Sequence, residues 1–148
     1  MSTRGERTRE RTMDETVTHG ACLCGGVRWR FRGKIPDATI CNCTACRRYS
    51  ALWAYDYDGG AITVDDPEGL LVSFARGKAL SFNFCRRCGN MVSWRGLGPD
   101  EDGRTRIAVN LRLAEPDAVA AVPLLRFDGL DTFEDLDPGG RTVADVWF

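Results

Sequence analysis

Seven cysteines grouped in three short clusters constrain the fold of this chain more than any other feature. Seven is an odd number, so a framework in which every cysteine is paired within one chain is impossible. Grouped cysteines in a reducing compartment indicate metal binding or catalysis more often than disulfides. The spacing within each cluster therefore predicts metal sites. The cysteines are Cys22, Cys24, Cys41, Cys43, Cys46, Cys85 and Cys88.

The N-terminal segment and the hydropathy of the chain favour a reducing compartment. Residues 1–18 are polar, lack the apolar stretch of a secretory signal and contain four acidic residues, which a transit peptide usually lacks. The longest apolar run, Ala118 to Leu125, is far short of the ~20 residues that cross a bilayer. We therefore expect a cytoplasmic protein with no membrane contact, and a disordered tail over residues 1–18.

Length and charge limit the number of domains and the kinds of ligand that the chain can bind. A chain of 148 residues suits one domain, which we place at residues 19–148. The formal net charge of −1 disfavours a nucleic-acid binder, including a zinc ribbon, because such proteins usually carry a basic excess. A local group of arginines remains compatible with small anionic ligands. The sequence does not define an oligomeric state.

Short strands account for most of the predicted secondary structure. Apolar and charged residues alternate with the period of two that a half-buried strand shows, and Gly, Pro and Asp separate the segments. Long helical periodicity is missing, and a single helical turn is expected near Pro116. The fold class is therefore mainly β, with an Asp- and Gly-rich tail to Phe148. The predicted strands lie at 27–32, 53–57, 70–74, 80–84, 91–94, 107–111 and 122–127.

Two of the cysteine clusters suit a closed zinc site. The pair Cys85 and Cys88 has the C-x-x-C spacing that aims two thiolates at one ion, and Gly89 permits the left-handed backbone that closes the turn. Cys22 and Cys24 form a shorter pair that supplies two more ligands. Four thiolates complete a tetrahedral structural site and link two distant parts of the chain.

The middle cluster suits an open zinc site. Cys41, Cys43 and Cys46 are three ligands without a fourth, as expected of a catalytic or substrate-binding zinc that a small thiol completes. Other interpretations stay open at this point. They are unmetallated thiols, an iron–sulfur cluster joined by a distant cysteine, and a structural site in which His19 supplies the fourth ligand.

Three motifs make the chain resemble the glutathione-dependent formaldehyde-activating enzyme family over about residues 19–127. They are GACLCGGVRW at 20–29, CNCTACRR at 41–48 and FCRRCG at 84–89. The resemblance implies a β-tent fold of small antiparallel sheets around two Zn²⁺ ions. Its structural ligands fall on Cys22, Cys24, Cys85 and Cys88, and its catalytic ligands fall on Cys41, Cys43 and Cys46.

The same resemblance implies a carbon–sulfur lyase that condenses glutathione with formaldehyde to S-hydroxymethylglutathione. The chain departs from the family pattern at Asn42, where a histidine is common, and at Leu124 to Phe127, where a histidine and an aromatic residue are common. Neither departure touches a ligand. We expect both to affect substrate choice or metal tuning.

Several residues near the open cluster have both a functional and a structural interpretation. Arg47 and Arg48 either bind the carboxylates of glutathione or lie in a solvated turn. Trp53, Tyr55 and Tyr57 share one strand face and either pack in the core or line a ligand pocket. The arginine stripe at 28, 30 and 32 indicates a solvated strand face.

Two alternative functions follow from the same residues. A non-catalytic zinc-binding module, structural or chaperone-like, would use the same fold without turnover. Methionine sulfoxide reduction needs a nucleophilic free cysteine, and no cysteine follows Cys88, so this chemistry ranks low.

Overall fold

Strands dominate the computed structural model, which describes residues 16–147. The prediction of a mainly β fold is confirmed. The described strands are β1 (Val17–Ala21), β2 (Arg28–Arg32), β3 (Ala38–Cys41), β4 (Trp53–Tyr57), β5 (Ile62–Asp65), β6 (Leu71–Ala75), β7 (Leu80–Cys85), β8 (Met91–Gly96), β9 (Arg106–Asn110), β10 (Leu124–Phe127) and β11 (Asp135–Leu136). The helices are α1 (Thr44–Tyr49), α2 (Pro116–Val119) and α3 (Val143–Trp147), with a 3₁₀ turn at Leu111–Leu113.

A three-stranded antiparallel sheet has the order β1-β2-β5. In β2 the side chains of Trp29 and Phe31 are buried, while the three arginines of the stripe face outward. This alternation is the one that the sequence predicted, because successive residues of a strand point to opposite faces.

The second sheet has eight strands in the order β11-β10-β3-β4-β9-β8-β7-β6. The strands β6 to β9 form a continuous antiparallel meander, in which the predicted strands at 70–74 and 80–84 pair as a hairpin. β10 lies parallel to β3, with Phe127 opposite Cys41 in the register. The late strand β10 is thereby fixed beside the middle cysteine cluster, which follows β3 in the chain.

Two buried clusters support the two groups of cysteines. The larger one includes Cys22 and Cys85 together with Trp29, Val92 and Leu111. A smaller cluster packs behind the middle cysteines, and its aromatic rings are in contact: the Trp53 and Phe82 ring centres are 6.3 Å apart, and those of Trp53 and Trp94 are 6.5 Å apart. Each cysteine group therefore packs against a separate cluster of buried apolar residues.

Several elements were not predicted from the sequence. β1 starts at Val17, two residues before His19, and residues 1–15 of the predicted tail lie outside the described residues. The segments β3, β5 and α1 are too short for their apolar residues to show a clear periodicity, so the sequence did not predict them. The predicted Asp- and Gly-rich tail instead contains β11 and α3, whose buried Val143 joins the larger core. None of the described helices has the length and apolarity to cross a membrane.

Candidate metal centre

The first and third clusters form two turns that face each other. In the first turn, Gly25 adopts a φ of +77° and its N–H donates to the Cys22 carbonyl at 2.8 Å. In the other, Gly89 adopts a φ of +81° and its N–H donates to the Cys85 carbonyl at 2.7 Å. A left-handed residue closes each turn at little cost only when it is glycine. The two turns thus place the sulfurs of the first and third clusters in the space between them.

The four sulfurs have the separation that zinc requires. All four Sγ atoms lie within 4.8 Å of one another. The Sγ atoms of Cys22 and Cys24 are 3.5 Å apart, and those of Cys24 and Cys85 are 3.7 Å apart. Tetrahedral zinc–thiolate bonds of about 2.3 Å place sulfurs about 3.8 Å apart. The donor set therefore fits one Zn²⁺ with four thiolate ligands.

Neighbouring groups shift the pKa values of Cys24 and Cys22 in opposite directions. The pKa of Cys24 is lowered to about 6 by the backbone N–H of Gly26 and by Arg87, whose Nε donates to Cys24 Sγ at 3.3 Å. The pKa of Cys22 is raised to about 11, mainly by burial. Buried Cys22 therefore needs a cation to ionise at neutral pH, and a bound metal supplies that charge.

This closed group joins the two sheets. Cys22 and Cys24 follow β1 of the small sheet, whereas Cys85 ends β7 of the large sheet. A hydrogen bond also links the two turns: the backbone N–H of Leu23 donates to the side-chain Oδ1 of Asn90 at 2.6 Å. Metal bound here would hold the sheets together.

The middle cluster is built on the short helix α1. Cys41 ends β3, Cys43 caps α1, and Cys46 lies buried in its first turn. The N–H of Cys46 donates to Cys43 Sγ at 3.3 Å, and the N–H of Cys43 lies 3.5 Å from Cys41 Sγ. The three Sγ atoms lie within 4.8 Å of one another. Backbone donors to sulfur stabilise thiolates, so this set also fits a zinc ion.

No fourth ligand approaches the middle cluster among residues 16–147. The metal-binding groups found there are the four-cysteine set and this three-cysteine set. His19 is exposed on β1 opposite Arg30 and belongs to neither group. The described residues therefore support neither a histidine-completed site nor a cluster joined by a distant cysteine.

The pKa values of Cys41 and Cys46 are shifted in opposite directions by the hydrogen bond between their sulfurs. The pKa of Cys41 is lowered to about 5, chiefly because the Cys46 thiol donates to it. The pKa of Cys46 is raised for the same reason and by burial. A metal ion that displaces this proton would make both sulfurs thiolates.

A loop after β10 closes over the open cluster. Asp128 is buried, and its carboxylate accepts from Asn42 Nδ2 at 3.1 Å and from Thr132 Oγ1 at 2.9 Å. The Asn42 Oδ1 in turn accepts from Leu130 N at 3.1 Å. Both ends of the Asn42 amide are therefore used to attach the cysteine loop to the loop after β10. The pKa of Asp128 is held far below its usual range by these donors, first of all the N–H of Thr132.

Gly129 lies directly against the open cluster. A Cβ at this position would lie 2.7 Å from Cys41 Sγ and 3.0 Å from Cys43 Cβ. No side chain fits there unless a ligand moves.

We expect Gly129→Ala to weaken metal binding at the open cluster by about 10- to 100-fold, the range found when support of a ligand is disturbed. Gly98→Ala is the matched control, because no atom lies within 4 Å of its Cβ position. Competition of each variant with a chromophoric zinc chelator measures the effect. Equal affinities of the weaker site in the two variants would contradict the role of Gly129.

An open cleft of about 340 Å³ lies beside the middle cluster and is lined by two of its cysteines, Cys41 and Cys46. Arg47, for which the sequence left a carboxylate anchor and a solvated turn open, lines this cleft. Asn42, Arg126 and Phe127 also line it, so both departures from the family pattern lie at this cleft. Its lining residues are Ile40, Cys41, Asn42, Cys46, Arg47, Ser50, Ala51, Arg112, Arg126, Phe127 and Leu136.

The other residues singled out in the sequence lie outside this cleft. Arg48 is exposed, and its Nη1 donates to the Thr44 carbonyl at 3.0 Å. Tyr55 packs on Trp94 with ring centres 5.4 Å apart, and burial raises its pKa. Trp53 and Tyr55 thus pack against aromatic neighbours, whereas half-buried Tyr57 has the Arg104 guanidinium 3.8 Å from its ring centre. Asp56 accepts from Ala61 N, and Asp58 pairs with Arg95.

Arg112, Asp128 and Gly129 were not predicted from the sequence, and Arg126 was predicted only as part of the divergent segment 124–127. Arg112 lies in the 3₁₀ turn, and the other three lie in or after β10. The pairing of β10 with β3 brings the latter three to the cysteines. A signal existed for Asp128 and Gly129, because an Asp-Gly pair after a strand marks a turn.

Comparison with known proteins agrees with this architecture. The family model described as "Glutathione-dependent formaldehyde-activating enzyme" matches residues 17–121. All seven cysteines fall within that range. A comparison with curated proteins gave no match.

A solved structure shows the same fold. A Rhodobacter sphaeroides protein determined by crystallography superposes with a TM-score of 0.55 at 24% sequence identity. The match covers 72% of this chain and 98% of that chain. At this identity the likeness supports the fold alone.

Proposed function

Because the chain belongs to the glutathione-dependent formaldehyde-activating enzyme family, we propose that it is a zinc-dependent enzyme of the carbon–sulfur lyase class. Its substrates would be a small thiol such as glutathione and an aldehyde such as formaldehyde. One observation carries the proposal: the sulfurs of Cys41, Cys43 and Cys46 converge beside an open cleft that Cys41 and Cys46 line, and no fourth ligand from the described residues approaches them.

The cysteines and the cleft have separate roles in this proposal. Zinc bound by the three middle cysteines would act as a Lewis acid and favour the thiolate form of the substrate. Cys22, Cys24, Cys85 and Cys88 would hold a second, structural zinc. Arg47 would bind a substrate carboxylate, because it lines the cleft next to Cys46. Arg48, predicted for the same role, lies outside the cleft, so we assign the role to Arg47.

The reaction needs no oxidant or reductant. The substrate sulfur forms a bond to the aldehyde carbon, the carbonyl π bond breaks, and the thiol proton ends on the resulting hydroxyl. Neither His nor a carboxylate is among the residues that line the cleft. Asn42 cannot titrate, and its amide is bonded to Asp128 and Leu130. The proton therefore moves through solvent in the open cleft, and the side chains contribute binding and orientation.

Metal content per chain, measured by elemental analysis before and after adding glutathione and zinc, tests this function. We expect two zincs per chain, with the second retained better when glutathione is present. Exchange NMR should then show adduct formation from glutathione and formaldehyde above the uncatalysed rate. Retention of one zinc regardless of glutathione, without added turnover, would instead identify a non-catalytic zinc-binding module.

A further inference from the structure

Three arginines surround the cleft beside the open cluster, and no acidic residue lines it. Arg47 comes from α1, Arg112 from the 3₁₀ turn and Arg126 from β10. The ion pairs formed within residues 16–147 involve none of these three arginines. Three converging cations without carboxylate partners create a positive potential that favours an anionic ligand.

Arg112 is the most informative of the three. Its Nε is buried and has no hydrogen-bond partner among the described residues. The guanidinium lies 5.9 Å from the ring centre of Trp147, which positions it from α3. Burial lowers the pKa of Arg112. A partly buried guanidinium with an unused donor is unfavourable until an anion reaches it, so this side chain is prepared for a ligand.

Arg126 is held in place differently. Its Nη1 donates to the Asp137 carbonyl at 3.2 Å, which fixes the side chain but leaves its charge without a counter-ion. Arg126 and its neighbours Phe127 and Leu136 form a wall of the cleft. All three lie beyond residue 121, where the match to the family model ends, whereas all seven cysteines lie within it.

The arginines could have a simpler role. Three thiolates on Zn²⁺ leave a charge of −1, and a fourth thiolate makes it −2, so nearby cations also stabilise the metal centre itself. These roles differ in a measurable way. Neutralisation of the metal centre acts on every thiol alike, whereas carboxylate binding acts only on thiols that carry a carboxylate.

We propose that Arg112 and Arg126, together with Arg47, form a carboxylate-binding subsite that makes the open cluster select thiols bearing a carboxylate over neutral or amino thiols. This inference rests on the proposed function, since it takes a thiol as the ligand of the open cluster. Guanidinium groups suit the task because they bind carboxylates with two parallel hydrogen bonds.

The test measures thiol binding to protein loaded with Co²⁺, whose visible absorption changes when a fourth thiolate binds. 3-Mercaptopropionate is compared with its methyl ester and with cysteamine, and glutathione is compared with its diethyl ester. We expect the free acids to bind about tenfold or more tightly than the esters, as charge-assisted hydrogen bonds predict. Arg112→Gln and Arg126→Gln should each reduce that ratio several-fold.

Arg32→Gln is the matched control, because Arg32 is exposed on the other sheet and donates to a single carbonyl, that of Gly60. It should leave the acid-to-ester ratio unchanged. Equal affinities of acid and ester in the wild type would overturn the subsite and leave the proposed function intact. Wild-type protein that holds metal but binds no thiol would overturn both.

A further result separates the two roles of the arginines. If Arg112→Gln and Arg126→Gln lower Co²⁺ affinity but leave the acid-to-ester ratio unchanged, the arginines serve the metal and the subsite is rejected. Circular dichroism and thermal melting of each variant monitor folding. If Arg112→Gln fails to fold, Arg112→Lys replaces it, because lysine leaves a cation in place. The comparison of acid with ester in the wild-type protein needs no variant and still decides the outcome.

Discussion

Replacing Cys85 by serine is expected to unfold much of the domain. Cys85 is fully buried where β7 ends, and it contributes one of the four sulfurs that link the two sheets. Metal binding at such structural sites contributes roughly 10–16 kcal/mol in small zinc domains, compared with the ~5–15 kcal/mol net stability of a typical protein. Losing one ligand should therefore remove most of the net stability of the folded domain.

Near-ultraviolet circular dichroism and a thermal melt, read together with zinc content, measure this effect. Cys85→Ser should lose the aromatic signal and the cooperative transition. Cys43→Ser is the matched control, because it removes a sulfur from the open cluster and leaves the closed group intact. A Cys85→Ser protein that melts cooperatively at the wild-type temperature would show that the closed group is not structural.

Cys43→Ser should in turn abolish catalysed adduct formation and leave the fold in place. Cys43 is a member of the open cluster, and its Sγ also caps α1 by accepting a hydrogen bond from the Cys46 N–H. A serine keeps a weaker cap but does not hold zinc as a thiolate does. We expect the catalysed rate of thiol–aldehyde condensation to fall by about 100-fold or more, to the level of the uncatalysed reaction.

Exchange NMR of glutathione with formaldehyde measures that rate, and elemental analysis follows the second zinc. Thr44→Ala is the control for disturbance of the helix, because Thr44 is the next residue in the same turn and carries no sulfur. It should retain both zincs and most of the rate. Full activity in Cys43→Ser would rule out the open cluster as the reaction site.

Much of the sheet structure could be predicted because it depends on local pattern. The alternation around Trp29 and the hairpin between β6 and β7 are determined by neighbours a few residues apart, and the structure has both. The helix α1 and the elements β11 and α3 could not be predicted in this way. They are too short to show a period, and they form because tertiary contacts bury Cys46 and Val143.

The division of the cysteines was also predictable, because ligand spacing is local and coordination chemistry is strict. The two groups found in the structure are those that spacing had paired. The cleft was not predictable, since Arg112 and Arg126 approach Cys46 only after the chain has folded. Both arginines lie more than sixty residues after Cys46 in the sequence, and an isolated arginine in a sequence resembles any surface arginine.

The parallel pairing of β10 with β3 has a consequence for how this domain can diversify. The register places Phe127 opposite Cys41, so the backbone hydrogen bonds between the two strands hold the wall of the cleft at a fixed height above the sulfurs. Side chains on that wall can be exchanged without moving the metal ligands. Exchanging Arg126, Phe127 and Leu136 would therefore change the wall of the cleft, whereas Asp128 and Gly129 between them have to stay because they contact the loop that carries the metal ligands.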